Sequence, residues 1–202
     1  KHGRMPEDPV FIKTIVSTDL CERIAAHYGV KTKNVLTGFK YIGEQIGQME
    51  ACGKADSYIF GFEESYGYLS GSYVRDKDAV NASLLICEMF CYYASQGISL
   101  LDRLHMIYDQ YGYCLNRVHS YSFEGAAGFE TMQKIMAEFR KLSDHLCGYV
   151  IEQKIDYAKG IDGLPQADVV KFMLEDDCSV IVRPSGTEPK IKVYVTIHTT
   201  SR

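Results

Sequence analysis

Between Val10 and Phe60 the chain alternates apolar, β-branched runs with helical ones, and this alternation most constrains its fold. Residues 10–16, VFIKTIV, read as a strand. Ser17, Thr18 and Asp19 then offer capping side chains. DLCERIAAHYG continues as a helix, with Leu20, Ile24 and His27/Tyr28 on one face and Gly29 just past its end. A short strand over 34–37 precedes Gly38. Residues 39–52 read as a second helix and 57–60, SYIF, as a third strand. Strands joined through helices in this way pair in parallel, so the first half of the chain is expected to be βαβ.

Beyond Phe60 a glycine-containing loop over 61–78 leads to residues 79–95, which are apolar almost all round and predict a buried helix. Ser99 and Asp102 have capping-box spacing. Leu100, Leu101, Leu104, Ile107, Tyr108 and Tyr111 then follow a 3.6-residue period up to Gly112. The pattern changes over 113–117. A strand over 119–123 and a long amphipathic helix marked by Phe129, Met132, Ile135, Met136, Phe139, Leu142 and Leu146 come next. Strands over 149–157, 169–174, 179–182 and 191–198 complete the chain. The expected architecture is α/β: a partial three-layer α/β/α domain with a mixed, mostly parallel sheet over 1–114, then an α+β domain with an antiparallel sheet over 115–202.

Composition narrows the function. A net charge of −4 over 202 residues carries no general basic footprint for nucleic acid. No stretch approaches the ~18 consecutive apolar residues of a membrane span. The seven cysteines include no CxxC pair, and the six histidines form no HxxxH or HExxH. Reduced, mostly buried thiols in a cytosolic protein are the expectation.

Two segments can carry chemistry. The first, Gly61–Asp78, follows a strand and precedes a helix, which places it at the carboxyl edge of a parallel sheet, where ligands collect. In an extended stretch Glu63 and Ser65 face the same side. A carboxylate and a hydroxyl together suit the hydroxyls of a sugar. They equally suit a solvated polar turn. Lys77, among Arg75, Asp76 and Asp78, reads either as an active cation or as part of a charged helix start. The second segment, Val182–Lys190, lies between two strands. Arg183 offers a planar fork of donors, Ser185 and Thr187 offer hydroxyls, Gly186 lets backbone N–H groups approach an anion, and Lys190 and Lys192 add charge. Phosphate binding is one reading, and a hairpin with solubilising charges is the other.

In this order the two segments resemble the α-D-phosphohexomutases, the family of phosphoglucomutases and phosphomannomutases. Glu63-Glu64-Ser65 is similar to the sugar-recognition loop of that family's third domain, and Arg183-Pro-Ser-Gly-Thr187 to the phosphate-recognition loop of its fourth. Thr37-Gly38-Phe-Lys40 is similar to a third-domain TG-aromatic-K segment, and Lys77 to a basic residue in an R-x-K-D stretch that is a candidate general acid/base. The resemblance spans nearly the whole chain. It implies Glu63, Ser65, Thr37 and Gly38 as sugar-binding and Arg183, Ser185, Gly186, Thr187 and Lys192 as phosphate-binding.

The resemblance further implies a cytoplasmic mutase that interconverts hexose 1-phosphate and hexose 6-phosphate. A phosphoserine, a bound Mg2+ ion and a hexose 1,6-bisphosphate activator belong to that picture. The serine loop and the DxDxD metal loop do not occur in this sequence. The family's third domain also opens with a helix ahead of residue 10, and its fourth closes with one after the last strand. The chain is therefore expected to be a C-terminal piece, inactive alone, whose partners are a sugar phosphate and the missing N-terminal domains, with neither nucleic acid nor membrane among them. The alternative is a non-catalytic sugar-phosphate-binding or regulatory module.

Overall fold

A computed structural model describes residues 5–161, 163–186 and 188–199. The chain divides into two compact units, Lys1–Gly112 and Tyr113–Arg202. In the first unit β1 (Val10–Thr14), α1 (Leu20–His27), β2 (Lys31–Val35), α2 (Phe39–Ala51), β3 (Tyr58–Glu63) and β4 (Gly67–Leu69) follow in sequence. The sheet order is β2-β1-β3-β4. β1 runs parallel to both β2 and β3, and β4 is antiparallel to β3. Successive residues of a strand face opposite sides, and β1 shows it. Ile12 packs with Phe39, Ile42 and Ile46 of α2, while Phe11 packs with Ala25 of α1. Helix, sheet and helix thus form three layers.

The unit closes with α3 (Ala79–Ala94) and α4 (Leu100–Tyr111). The Ser99/Asp102 capping box is present in both directions: the Asp102 N–H donates to Ser99 Oγ at 3.0 Å, and the Ser99 N–H to Asp102 Oδ2 at 3.2 Å. α3 departs from the sequence expectation. Only Ala82 is buried, and Val80, Leu84 and Phe90 are 82 %, 59 % and 56 % exposed. An apolar surface on every side shows that a helix is suited to burial, but not which neighbour covers it. The described residues leave much of this one open. Cys87 and Cys91 are exposed with it, as are Cys52 and Cys147, so the cysteines form no disulfide among the described residues but are not mostly buried.

In the second unit β5 (Tyr113–Ser122) precedes α5 (Gly125–Lys141). Then come β6 (His145–Leu146), β7 (Tyr149–Asp156), β8 (Val170–Leu174), β9 (Ser179–Pro184) and β10 (Lys190–Thr199). The order β5-β10-β9-β8-β7-β6 is antiparallel throughout. Met132 and Met136 of α5 pack on Ile151, Val170, Phe172, Val182 and Ile191. Arg140 pins the end of α5 through Asp156 at 3.1 Å and Asp168 at 2.5 Å. Among the described residues no helix is long and apolar enough to cross a membrane.

The loop expected over 61–78 holds a hairpin, because β3 continues to Glu63 and turns back as β4. Buried Tyr58 ties the hairpin to the sheet by donating its hydroxyl to the Leu69 carbonyl at 2.9 Å. Burial raises the phenol's pKa and keeps it a donor. Tyr58→Phe leaves that carbonyl without its phenol donor. It is expected to destabilise the unit by about 1–3 kcal/mol, read as a lower urea midpoint with an unchanged slope.

Candidate functional site

Glu63 is the last residue of β3 and stands opposite Gly67 of β4. Glu64, Ser65 and Tyr66 make the turn, and Tyr66 takes the left-handed conformation (φ 62°) that closes a three-residue hairpin loop. The backbone is therefore not extended through 64–66, and the same-side argument for Glu63 and Ser65 does not hold. Ser65 is exposed at the tip, where its hydroxyl donates to Glu64 Oε1 at 3.4 Å, whereas Glu63 is 9 % exposed.

Gly67 makes room for the Glu63 side chain. A Cβ at Gly67 would sit 2.8 Å from both Cγ and Oε1 of Glu63 and 3.0 Å from Cδ of Lys77. Glu63 and Lys77 therefore meet over a residue that must have no side chain. Lys77 is placed by its neighbours. The Asp78 N–H donates to the Tyr68 carbonyl at 2.9 Å, and the Asp78 carboxylate caps α3 by accepting from the N–H groups of Val80 and Asn81. The Lys77 ammonium lies 3.1 Å from Asp76 Oδ1 and 5.9 Å from the centre of the Phe39 ring. Burial holds the Glu63 carboxyl above the ordinary glutamate range. Lys77 opposes that shift, and Glu64 and Asp76 reinforce it.

Phe39 brings in the third segment. It opens α2 directly after Gly38, whose φ of 122° is one that side-chain-bearing residues rarely adopt. Thr37 Oγ1 is buried with no hydrogen-bond partner among the described residues, a costly state that a ligand hydroxyl would relieve. The sequence reading missed Phe39 and Gly67. The signal for Gly67 was the aromatic alternation on both sides of Glu-Ser-Tyr, which marks a hairpin.

In the second unit Arg183 on β9 and Lys192 on β10 are direct cross-strand partners, and Ser120 of β5 lies across from Lys192. Like charges placed opposite one another are unfavourable unless an anion relieves them. Arg183 Nε donates to Tyr194 Oη at 3.4 Å, and its guanidinium lies 6.0 Å from the Tyr194 ring centre. The Ser185 N–H donates to the Lys190 carbonyl at 2.7 Å and closes the loop base. Lys190 is paired with Glu188 at 3.0 Å, so much of its charge is already matched. A Cβ at Gly186 would meet nothing, leaving open space beside the backbone there. Thr187 lies outside the described residues. Among the described residues no group of three or more His, Cys, Asp or Glu is placed to hold a metal ion.

Two family profiles match the chain: phosphoglucomutase/phosphomannomutase, alpha/beta/alpha domain III, over residues 1–111, and phosphoglucomutase/phosphomannomutase, C-terminal domain, over 125–202. The chain belongs to the phosphoglucomutase/phosphomannomutase family. A phosphoglucomutase of Staphylococcus aureus (strain MRSA252) is 36 % identical over 201 residues, 93 % of this chain and 36 % of the relative. One from Staphylococcus haemolyticus is 32 % identical over 210 residues, 98 % of this chain and 38 % of the relative. The chain thus spans little more than a third of the length of the curated relatives it matches. The open form of parafusin, an exocytosis-sensitive phosphoprotein and phosphoglucomutase from Paramecium, shares the fold with a TM-score of 0.66 at 20 % identity. That match covers 95 % of this chain and 34 % of the other.

The raised Glu63 pKa gives a pH prediction. The folded state holds this proton more tightly than the unfolded state, so ionised Glu63 lowers stability above its folded pKa, and the loss disappears as pH falls through that value. Glu63→Gln is therefore expected to raise the melting temperature at neutral pH. The gain should shrink toward zero as pH falls through the raised pKa to ordinary glutamate values, checked by thermal melts across that range.

Proposed function

We propose that this chain is the sugar- and phosphate-recognising part of a cytoplasmic mutase that interconverts hexose 1-phosphate and hexose 6-phosphate. The observation that carries this reading is that both domain profiles match the chain in order, one over each unit. Glu63 accepts from sugar hydroxyls, and Thr37 Oγ1 exchanges a hydrogen bond with another. Gly38 keeps the backbone clear beside them, and Ser65 contributes from the hairpin tip. Arg183 and Lys192, with the hydroxyls of Ser185 and Thr187 and the backbone at Gly186, hold the phosphate that is not being transferred. A planar guanidinium fork and a compact ammonium accept that phosphate in more than one orientation, which a mutase requires because its phosphate occupies either end of the sugar.

In this reading the transferred phosphoryl group passes from a phosphoserine outside this chain to a sugar hydroxyl. A hexose 1,6-bisphosphate forms, reorients, and returns its other phosphate to the serine. Lys77, beside Asp76, is the candidate general acid/base: its ammonium gives a proton to the leaving oxygen, and the amine so formed takes one from an attacking hydroxyl. Mg2+ would neutralise developing charge in the transfer. In this reading its ligands lie outside this chain.

The 202-residue chain is expected to show no conversion of glucose 1-phosphate in a coupled assay, since its sequence contains no serine loop of the required kind. Measurable turnover by the purified chain would contradict the division of labour proposed here. In the parent enzyme Arg183→Lys keeps the charge but loses the two parallel donors. Binding of glucose 6-phosphate is expected to weaken about tenfold, with no change for free glucose. Titration calorimetry measures both, and equal affinity in wild type and variant would make Arg183 a turn residue only.

A further inference from the structure

β1 carries a fully buried lysine near its end. The ammonium of Lys13 donates to the Ser17 carbonyl at 3.1 Å and to Asp19 Oδ1 at 2.8 Å, and lies 3.0 Å from Glu22 Oε1. An ammonium taken out of water needs such partners. The consequence is positional. Asp19, expected to cap α1, makes no side-chain cap and turns to Lys13 instead, and Thr18 Oγ1 accepts from the Leu20 N–H at 3.3 Å. Ser17 is fixed above the end of β1, where its N–H donates to the Thr14 carbonyl at 3.0 Å.

The fixed turn presents hydroxyls to the hairpin. Thr14 Oγ1 and Ser17 Oγ are 2.8 Å apart, and both residues are buried. The Thr14 hydroxyl donates to Glu64 Oε2 at 3.2 Å. With its one proton used there, the proton shared with Ser17 must come from Ser17. Glu64 Oε1 in turn accepts from Ser65. A chain of hydrogen bonds thus runs from a buried ammonium at the sheet's carboxyl edge to the tip of the β3–β4 turn. The tip has little packing of its own, because Ser65 and Tyr66 are exposed.

We infer that Glu64 is a positioning residue, and that Thr14, itself set by Ser17 and Lys13, is the donor through which β1 holds the hairpin so that Glu63 and Ser65 are preorganised for a sugar. This rests on the reading of the hairpin as the sugar-recognising element. Adjacent carboxylates then have separate tasks. Glu63, over Gly67, meets the ligand, and Glu64 anchors the turn. A hydrogen bond to a charged acceptor is strong enough for that task, and a site held within about 0.5 Å needs such support behind the groups that touch the ligand.

The test uses Thr14→Val, which removes the donor with little change of shape, and Thr14→Ser, which restores it, in the parent enzyme. Glucose 1-phosphate and inorganic phosphate serve as probes in titration calorimetry. Thr14→Val is expected to bind inorganic phosphate like wild type and glucose 1-phosphate about tenfold more weakly, while Thr14→Ser recovers sugar-phosphate affinity. Hydrogen exchange over residues 63–67 gives a readout that needs no ligand. It should be faster in Thr14→Val and in Glu64→Ala and near wild type in Thr14→Ser. Unchanged sugar-phosphate affinity in Thr14→Val, or equal losses in the Val and Ser variants, would overturn the positioning role. A wild type that does not distinguish glucose 1-phosphate from inorganic phosphate would overturn the sugar reading instead, and hydrogen exchange would still decide whether Thr14 and Glu64 hold the turn.

Discussion

A buried carboxylate at the end of a strand governs the first unit. Glu63 is buried enough to raise its pKa, and the Lys77 side chain that comes alongside opposes that shift. That approach requires bare backbone at Gly67, which requires β4 to pair with β3 in one register, which requires the turn at 64–66. The hydroxyl of Tyr58 fixes the far end of β4, and Asp78 fixes Lys77 by capping α3 while its N–H donates to Tyr68. Each of these contacts is local and modest. Together they set one carboxylate, one ammonium and one aromatic ring within reach of each other at the carboxyl edge of a parallel sheet.

The second unit solves a different problem with a more regular device. An antiparallel meander places residues opposite one another by register alone, and here the register sets Arg183 against Lys192. Tyr194, diagonal to Arg183, gives the guanidinium a hydroxyl to donate to and a ring to lie against. The cation row therefore has a fixed geometry before any ligand arrives. Its mutual repulsion lowers the cost of bringing an anion to it.

Much of this was legible in the sequence, and the misses have specific causes. The βαβ alternation and the Ser99/Asp102 capping box depend on local pattern, and the structure carries both. β4 was missed because its turn contains Glu, Ser and Tyr, and a tyrosine in the left-handed conformation is not a turn signal. In the sequence Asp19 offers a cap, because capping is the common use of aspartate before a helix. Buried Lys13 competes for the same carboxylate and wins. The open side of α3 was illegible for another reason: apolar composition records suitability for burial, not the identity of the covering surface.

Charge supports the proposal that hydroxyl and phosphate recognition fall to separate units. Around Glu63 stand Glu64, Asp76 and Lys77, so the hairpin region carries more negative than positive charge. A phosphate held tightly there would meet repulsion from carboxylates whose surroundings screen it poorly. Sugar hydroxyls are neutral and donate to carboxylates, so the same arrangement favours them. Around Arg183 and Lys192 the balance reverses, and Glu188 is already taken up by Lys190. In the proposed reading the carboxylates of the first unit therefore suit sugar hydroxyls, and the cations of the second suit a phosphate. Exchanging those roles would place an anion among carboxylates and a neutral sugar against unrelieved cations.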